Sequence, residues 1–269
     1  ATIGNFDGVH LGHQAIIKRL VSKSKTLCVP SVVVLFEPPP QEFFQPDNAP
    51  ARLHKLTDKV FELEMLGVDY VLCLRFSEEL AQLSAQDFVQ RVLLDTLAVK
   101  HLFIGDDFRF GHKRQGDFEL LQQLGDGVFT VEANESVCLT LNRKPTRVSS
   151  SLVRNAIEDG DFYLAEQMLG IRFAITGRVG HGDKQGRQIG VPTANIALKR
   201  KKSPIKGVYA VWVYGISSEP MPAVANIGVK PTMNKRLERL EVHVLDYDGD
   251  LYGKRIRVEP IQKLRNEKK

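Results

Sequence analysis

Residues Gly4-Asn5-Phe6-Asp7-Gly8-Val9-His10-Leu11-Gly12-His13 bring two imidazoles three positions apart into a glycine-rich stretch. An apolar strand pattern precedes the stretch and a helical pattern begins at Leu11. At such a junction glycines permit a tight turn and close backbone approach, and a helix start offers unpaired N–H groups and a positive dipole end that favour phosphate. His10 and His13 then share one helix face. Beside a phosphate they can donate hydrogen bonds as charge builds on the group in transfer, with no covalent intermediate. A lone histidine here would read as an ordinary polar residue; the pair inside the turn points to function. The spacing is neither a dinucleotide fingerprint nor a P-loop, because no Gly-x-Gly-x-x-Gly occurs here and no Gly-Lys-Ser/Thr follows.

Two further stretches suit phosphate chemistry. Arg147-Val148-Ser149-Ser150-Ser151-Leu152-Val153-Arg154 puts three hydroxyls at a helix start, with Arg154 able to clamp phosphate oxygens. Alone, the serines are explained by plain N-capping; paired with the histidine turn they make a triphosphate grip. The stretch from Gly177 to Asn195 is glycine-rich through Gly182, Gly186 and Gly190 and ends in Gly190-Val191-Pro192-Thr193-Ala194-Asn195. Its first part can form a phosphate-covering loop, although a structural turn explains glycines equally well. Thr193 and Asn195 supply a hydroxyl and an amide oxygen, hard ligands suited to a nucleotide-bound Mg²⁺.

The elements that must position these groups change character along the chain. Up to about residue 135, short apolar strands (Ala1 to Gly4, Val29 to Phe36, Tyr70 to Leu74, His101 to Gly105, Val128 to Glu132) alternate with helices (Leu11 to Ser22, Thr57 to Leu66, and one capped by Ser84). That order predicts a parallel α/β sheet with ligands beyond its strand carboxyl ends. Ser149 and Asp161 cap two more helices, ending near Gly160 and Gly170. From residue 171, short β-branched and aromatic runs broken by Gly, Pro and Asp predict a small antiparallel β-barrel: Ile175 to Val179, Gly207 to Tyr214, Ala223 to Ile227, Leu240 to Leu245 and Arg255 to Glu259. The expected architecture is a Rossmann-like nucleotidyltransferase-type sheet domain over 1–170, then a barrel domain over 171–269.

Composition is that of a globular protein: 43% apolar and 26% charged over 269 residues. Neither a membrane-spanning run nor a signal peptide is read from it. A net charge of +5 suits anionic partners, phosphorylated small molecules or nucleic acid. No helix-turn-helix, zinc-finger or basic–aromatic signature favours nucleic acid. The run Lys199-Arg200-Lys201-Lys202 reads as a solvated loop. Cys28, Cys73 and Cys138 have no pairing or metal spacing and read as buried free thiols in a reducing cytoplasm. Because the chain opens inside a motif at Ala1, leader residues are expected before it.

Histidine turn and Ser-rich helix start together resemble the nucleotidylyltransferase superfamily. Gly105-Asp106-Asp107-Phe108-Arg109-Phe110-Gly111 and Leu35-Phe36-Glu37-Pro38 narrow the resemblance to bacterial FAD synthetases. It implies ATP and phosphate contacts at Gly4, Phe6, Gly8, Ser150, Ser151 and Arg154, catalysis by His10 and His13, and flavin contacts at Asp107, Phe108 and Arg109. Relatives often carry His where Pro39 stands, so no role passes to that position; they prefer Thr at Ser151, where the hydroxyl survives. The implied reaction is attack of an FMN phosphate oxygen on the α-phosphorus of ATP, giving FAD and pyrophosphate.

The second half is similar to riboflavin kinases through Gly190-Val191-Pro192-Thr193-Ala194-Asn195, Gly207-Val208-Tyr209-Ala210-Val211, Ala225-Asn226-Ile227-Gly228 and Leu240-Glu241-Val242-His243. This implies ATP contacts at Gly177, Gly182, Gly186, Gly190 and Pro192, a metal at Thr193 and Asn195, and Glu241 as catalytic base. The pattern alone reads Glu241 as an exposed charge on an alternating strand; His243 shares its face without an assigned role. The resemblance thus implies a cytoplasmic bifunctional enzyme with riboflavin, FMN, FAD and ATP as partners and Mg²⁺ as cofactor. Two departures stand out: Pro260, which predicts a strand edge or bulge, and an end at Lys269 where relatives continue into a helix near the flavin. A single active half, a flavin- or RNA-binding regulator, and a nucleotidylyltransferase for another substrate remain open alternatives, and the sequence leaves the oligomeric state undetermined.

Overall fold

Short β-branched runs, buried where both faces of a sheet are covered, build the first half of the chain. The computed structural model describes residues 1–141, 143–180, 193–198, 202–232 and 235–267. In chain order come β1 (Thr2–Ile3), α1 (Leu11–Leu27), β2 (Val32–Glu37), α2 (Pro40–Phe44), α3 (Leu56–Met65), β3 (Tyr70–Arg75), α4 (Glu78–Gln82), α5 (Ala85–Phe88), β4 (His101–Gly105), α6 (Phe118–Gly125) and β5 (Thr130–Asn134). Helix α5 runs on into a wider π-type segment, Val89–Thr96. The strands form one sheet in the order β3-β2-β1-β4-β5, with every pairing parallel.

Alternation along the strands sends side chains to two cores. Val33, Leu35 and Phe103 pack with Ile17 and Leu20 of α1 and Leu63 of α3. Ile3, Val34, Leu102 and Ile104 pack on the opposite side with Phe88, Val92, Leu93 and Leu121. The chain leaves β1 towards β2 and leaves β4 towards β5, so the loops after these neighbouring strands diverge. A crevice opens at such a switch point. A hairpin of β6 (Cys138–Leu141) and β7 (Lys144–Arg147) follows, which the sequence does not announce because each strand is only four residues long and the second, Lys144-Pro145-Thr146-Arg147, is polar and carries a proline.

Contacts divide the chain into two compact units, Ala1–Pro50 with Leu56–Val148, and Ala51–Lys55 with Ser149–Lys269. From Ser149 onward the second comprises first α7 (Ser150–Asp159) and α8 (Phe162–Leu169). The Ser149 hydroxyl accepts a hydrogen bond from Leu152 N at 3.2 Å, and Asp161 accepts one from Leu164 N at 2.9 Å. Gly160 and Gly170 end these helices in the left-handed region, with φ of 82° and 75°.

Then come β8 (Ile175–Gly180), β9 (Ala194–Ala197), β10 (Gly207–Tyr214), β11 (Met221–Thr232), β12 (Lys235–Val244) and β13 (Arg255–Arg265), which close a barrel in the order β10-β11-β12-β9-β8-β13. Ile196, Tyr209, Val211, Ala225, Ile227, Leu240, Val242, Ile256 and Val258 are all at most 2% exposed and fill its interior. Beside Pro260 the register slips: Val211 faces Pro260 while Ala210 faces Gln262, so Ile261 is the extra residue of a bulge. Among the described residues no helix is long and apolar enough to cross a membrane. Contrary to the sequence expectation, Cys28, Cys73 and Cys138 are exposed, although free; Cys28 sits at the solvent-facing C-cap of α1, and Cys73 and Cys138 lie on outward positions of strands.

Gly177 faces the barrel interior, and a Cβ there would lie 2.2 Å from Ile196 Cγ2. Gly177→Ala is therefore expected to destabilise the barrel by about 1–3 kcal/mol through overpacking. Adding Ile196→Leu, which removes the branch at Cβ, should recover part of the loss in thermal unfolding.

Candidate functional sites

The turn from β1 to α1 is strained and tightly held. Phe6 and Val9 adopt φ of 44° and 40°, and Gly8 lies at 87°. Left-handed backbone is unusual for a β-branched residue such as Val9. Both side chains are buried, at 2% and 1% exposure, among Ile17, Val33, Leu35 and Phe103. Gly4 N donates to Val34 O at 3.1 Å, Val9 N to Phe6 O at 3.3 Å, and Gln14 Nε2 to Val9 O at 3.0 Å. Lys59 of α3, which is 2% exposed, donates from Nζ to Asn5 O at 3.0 Å. Sequence reasoning missed Lys59, because a lysine in a helical pattern reads as a solvated charge.

His10 is the N-cap of α1, and its Nδ1 accepts from His13 N at 3.4 Å. An accepting Nδ1 assigns the proton of the neutral ring to Nε2. The cap thus leaves His10 as an Nε2–H donor at the helix start. The two imidazoles stack with centroids 3.7 Å apart and planes 17° apart, and Phe6 leans on His13 at 4.9 Å. A Cβ on Gly12 would lie 3.1 Å from His10 Cε1. Gly4, Phe6, Gly8, His10 and His13 are therefore brought together at the carboxyl end of β1.

The loop after β4, at the neighbouring strand end, carries Asp107, Phe108 and Arg109. Asp107 is exposed, with Oδ1 3.5 Å from Arg147 Nη2. Asp106 binds the same guanidinium at 2.8 Å and accepts from Ser136 Oγ at 2.8 Å, fixing the loop to the β6–β7 hairpin. Phe108 stacks on buried Phe110 with centroids 5.7 Å apart. Arg109 Nη1 pairs with Asp117 at 2.7 Å. The Asp117 carboxylate caps α6 by accepting from Leu120 N, which with Arg109 holds its pKa below the ordinary carboxylate value.

In the second unit, Ser150 and Ser151 occupy the first turn of α7, and Arg154 Nε donates to Ala51 O at 2.7 Å. Gly177 lies inside β8, where the Ile196 methyl gives it a packing reason. Gly182, Gly186, Gly190 and Pro192 lie outside the described residues.

Register draws the remaining groups into one row. Asn195 of β9 faces Glu241 of β12, and Glu241 faces Asn226 of β11. Directly opposed residues place their Cβ atoms about 4.5–5.5 Å apart. The three lie on the outer, half-buried face, because the alternating Ala194, Ile196, Leu240, Val242, Ala225 and Ile227 point inward. Asn195 Nδ2 donates to Thr193 O at 3.2 Å, which ties Thr193 to the row and directs Oδ1 away. Asn195 Oδ1 and Asn226 Oδ1 are both buried with no hydrogen-bond partner among the described residues. Asn226 was not marked by its residue type; only the strand pairing reveals its place.

A protein-family model described as FAD synthetase matches residues 1–152, and one described as riboflavin kinase matches residues 169–269. The bifunctional riboflavin kinase/FMN adenylyltransferase of Escherichia coli (strain K12) is 49% identical over 269 residues, covering 100% of this chain and 85% of the relative. Its counterpart from Pseudomonas fluorescens is 53% identical over 271 residues, with the same two coverages of 100% and 85%. A crystal structure described as a macrolide-efflux protein from Streptococcus pneumoniae superposes with a TM-score of 0.78 at 29% identity, covering 100% of this chain and 87% of that one. With relatives this similar over its whole length and a matching family model on each part, the chain belongs to the bifunctional riboflavin kinase/FMN adenylyltransferase family.

Proposed function

We propose that this chain is a cytoplasmic enzyme that phosphorylates riboflavin to FMN and adenylylates FMN to FAD, using ATP in both steps. Adenylyl transfer is assigned to residues 1–170 and the kinase to 171–269. One observation carries the reading: a single chain holds a histidine turn at a sheet switch point and a carboxylate–amide row on a barrel, matched by FAD synthetase and riboflavin kinase models respectively.

In the adenylyl step an FMN phosphate oxygen attacks the α-phosphorus of ATP, the bond to the β-phosphate oxygen breaks, and pyrophosphate leaves. FMN is already an anionic nucleophile, so alignment and charge stabilisation carry the step. His10 donates from Nε2 to the phosphate oxygens, with His13 beside it. Gly4, Phe6 and Gly8 shape the phosphate turn, Ser150, Ser151 and Arg154 bind the polyphosphate, and Asp107, Phe108 and Arg109 contact the flavin.

In the kinase step Glu241 takes the proton of the riboflavin 5′-hydroxyl while its oxygen attacks the γ-phosphorus, and ADP leaves. Gly177, Gly182, Gly186, Gly190 and Pro192 are assigned to ATP contacts. Thr193 and Asn195 would hold the nucleotide's Mg²⁺, and a buried acceptor at Asn195 Oδ1 with no hydrogen-bond partner among the described residues fits a hard cation. The ion supplies charge neutralisation on the phosphates.

The direct test incubates the protein with riboflavin, ATP and Mg²⁺ and follows the flavins chromatographically. FMN should appear first and FAD after it; folded protein that makes neither would overturn the reading. His10→Ala is expected to lower FAD formation from supplied FMN roughly 10²–10³-fold while riboflavin phosphorylation persists. Glu241→Gln should do the reverse, lowering phosphorylation roughly 10²–10⁴-fold. Loss of both reactions in either folded variant would contradict the two-site assignment. Gly12→Ala, whose methyl must push the His10 ring by a few tenths of an ångström, should slow adenylylation about tenfold without altering the unfolding temperature appreciably.

A further inference from the structure

The Asn195–Glu241–Asn226 row ends, on both flanks of the carboxylate, in a buried amide oxygen with no partner among the described residues. Leaving a buried acceptor unsatisfied opposes folding, and native structures contain few of them, so each calls for a reason. The Asn195 flank is accounted for by the nucleotide's metal. Asn226 lies on the other flank, one strand beyond Glu241, and the phosphoryl-transfer assignment leaves it without a task.

Direction in the row supplies one. An in-line transfer has the nucleotide on one side of the γ-phosphorus and the attacking hydroxyl on the opposite side. Thr193 and Asn195 mark the nucleotide side, and Glu241 must sit beside the attacking oxygen. The strand beyond Glu241 therefore faces the acceptor molecule. That molecule presents a flexible chain of hydroxyls next to its reacting one, and a hydroxyl is a donor that a lone amide oxygen can receive. Resting on the kinase reading above, we infer that Asn226 is a substrate-binding residue whose Oδ1 accepts a hydrogen bond from a hydroxyl of the acceptor's polyol chain. It thereby sets which hydroxyl reaches Glu241. A site built to satisfy a substrate hydroxyl discriminates against an analogue lacking it, because the buried oxygen is then left unpaired.

The test compares riboflavin with a flavin bearing a 5-hydroxypentyl chain, which keeps the reacting hydroxyl and lacks the others. Dissociation constants are measured by calorimetry without ATP, and phosphorylation is measured with it. Wild type should bind riboflavin more tightly than the analogue. Asn226→Ala should raise the riboflavin Kd and KM roughly three- to tenfold. The KM for ATP and the Kd of the analogue should stay unchanged. Its ligand-free unfolding temperature should be equal or higher, since an unpaired buried oxygen has been removed; a lower one would mark a structural role and overturn the inference. It also falls if wild type binds both flavins equally, or if Asn226→Ala weakens both alike or affects ATP alone. Should wild type bind riboflavin without phosphorylating it, the kinase reading fails while the binding comparison still decides the role of Asn226. If it binds no riboflavin, both fall together.

Discussion

Two buried side chains keep the turn from β1 into α1 in a conformation its backbone resists. Left-handed φ at Phe6 and Val9 costs on the order of 1–3 kcal/mol each. Burying a Phe or Val side chain contributes about 1.5–3 kcal/mol each. Anchoring and strain are thus of one size, and the hydrogen bonds around the turn, including the one from buried Lys59, tip the balance. What results is direction: the chain enters α1 with His10 as its cap, and the cap decides which imidazole nitrogen carries the proton. Fold, strain and tautomer form one dependency that starts at two apolar residues.

The barrel solves its positioning problem by register. Side chains alternate along a strand, so a one-residue slip of β9 or β12 would turn Asn195 or Glu241 into the apolar interior. The β11–β12 and β12–β9 ladders run without a shift through the row, whereas both irregularities of β13 fall in its pairing with β10. Irregular pairing is kept away from the polar row. Ile196 packing into the space over Gly177 pins β9 against β8.

What could be read in the sequence was local or periodic. Ser84, Ser149, Asp161, Gly160 and Gly170 announce helix ends because capping depends on residues within one turn, and each stands where that chemistry requires. The glycine turn with His10 and His13 was legible for the same reason. Illegible features depend on pairing between distant segments. The two strands of the β6–β7 hairpin are four residues each and the second is polar with a proline, and β9 hides inside a stretch whose Pro192, Thr193 and Asn195 suggest a loop. Asn226 stood in a segment that carries the family resemblance but had no role until the ladder set it beside Glu241, and Lys59 gave no sign of burial. The exposed cysteines teach the same point: hydrophobic character alone does not say which face of a strand a thiol occupies.

Closing six strands on one another leaves the barrel little free edge, but the five-stranded sheet ends in two open ones, β3 and β5. Open edges are templates for pairing with other chains. On β5, Glu132 is locked into ion pairs with Arg19 at 2.6 Å and Lys23 at 3.4 Å, a charged fence across that rim. Strand β3 instead shows solvent Tyr70 at 64% exposure, beside Val71 and Leu72, with only Arg75 at its far end as a charge. In a crowded solution, intermolecular strand addition and the aggregates that grow from it would nucleate at β3.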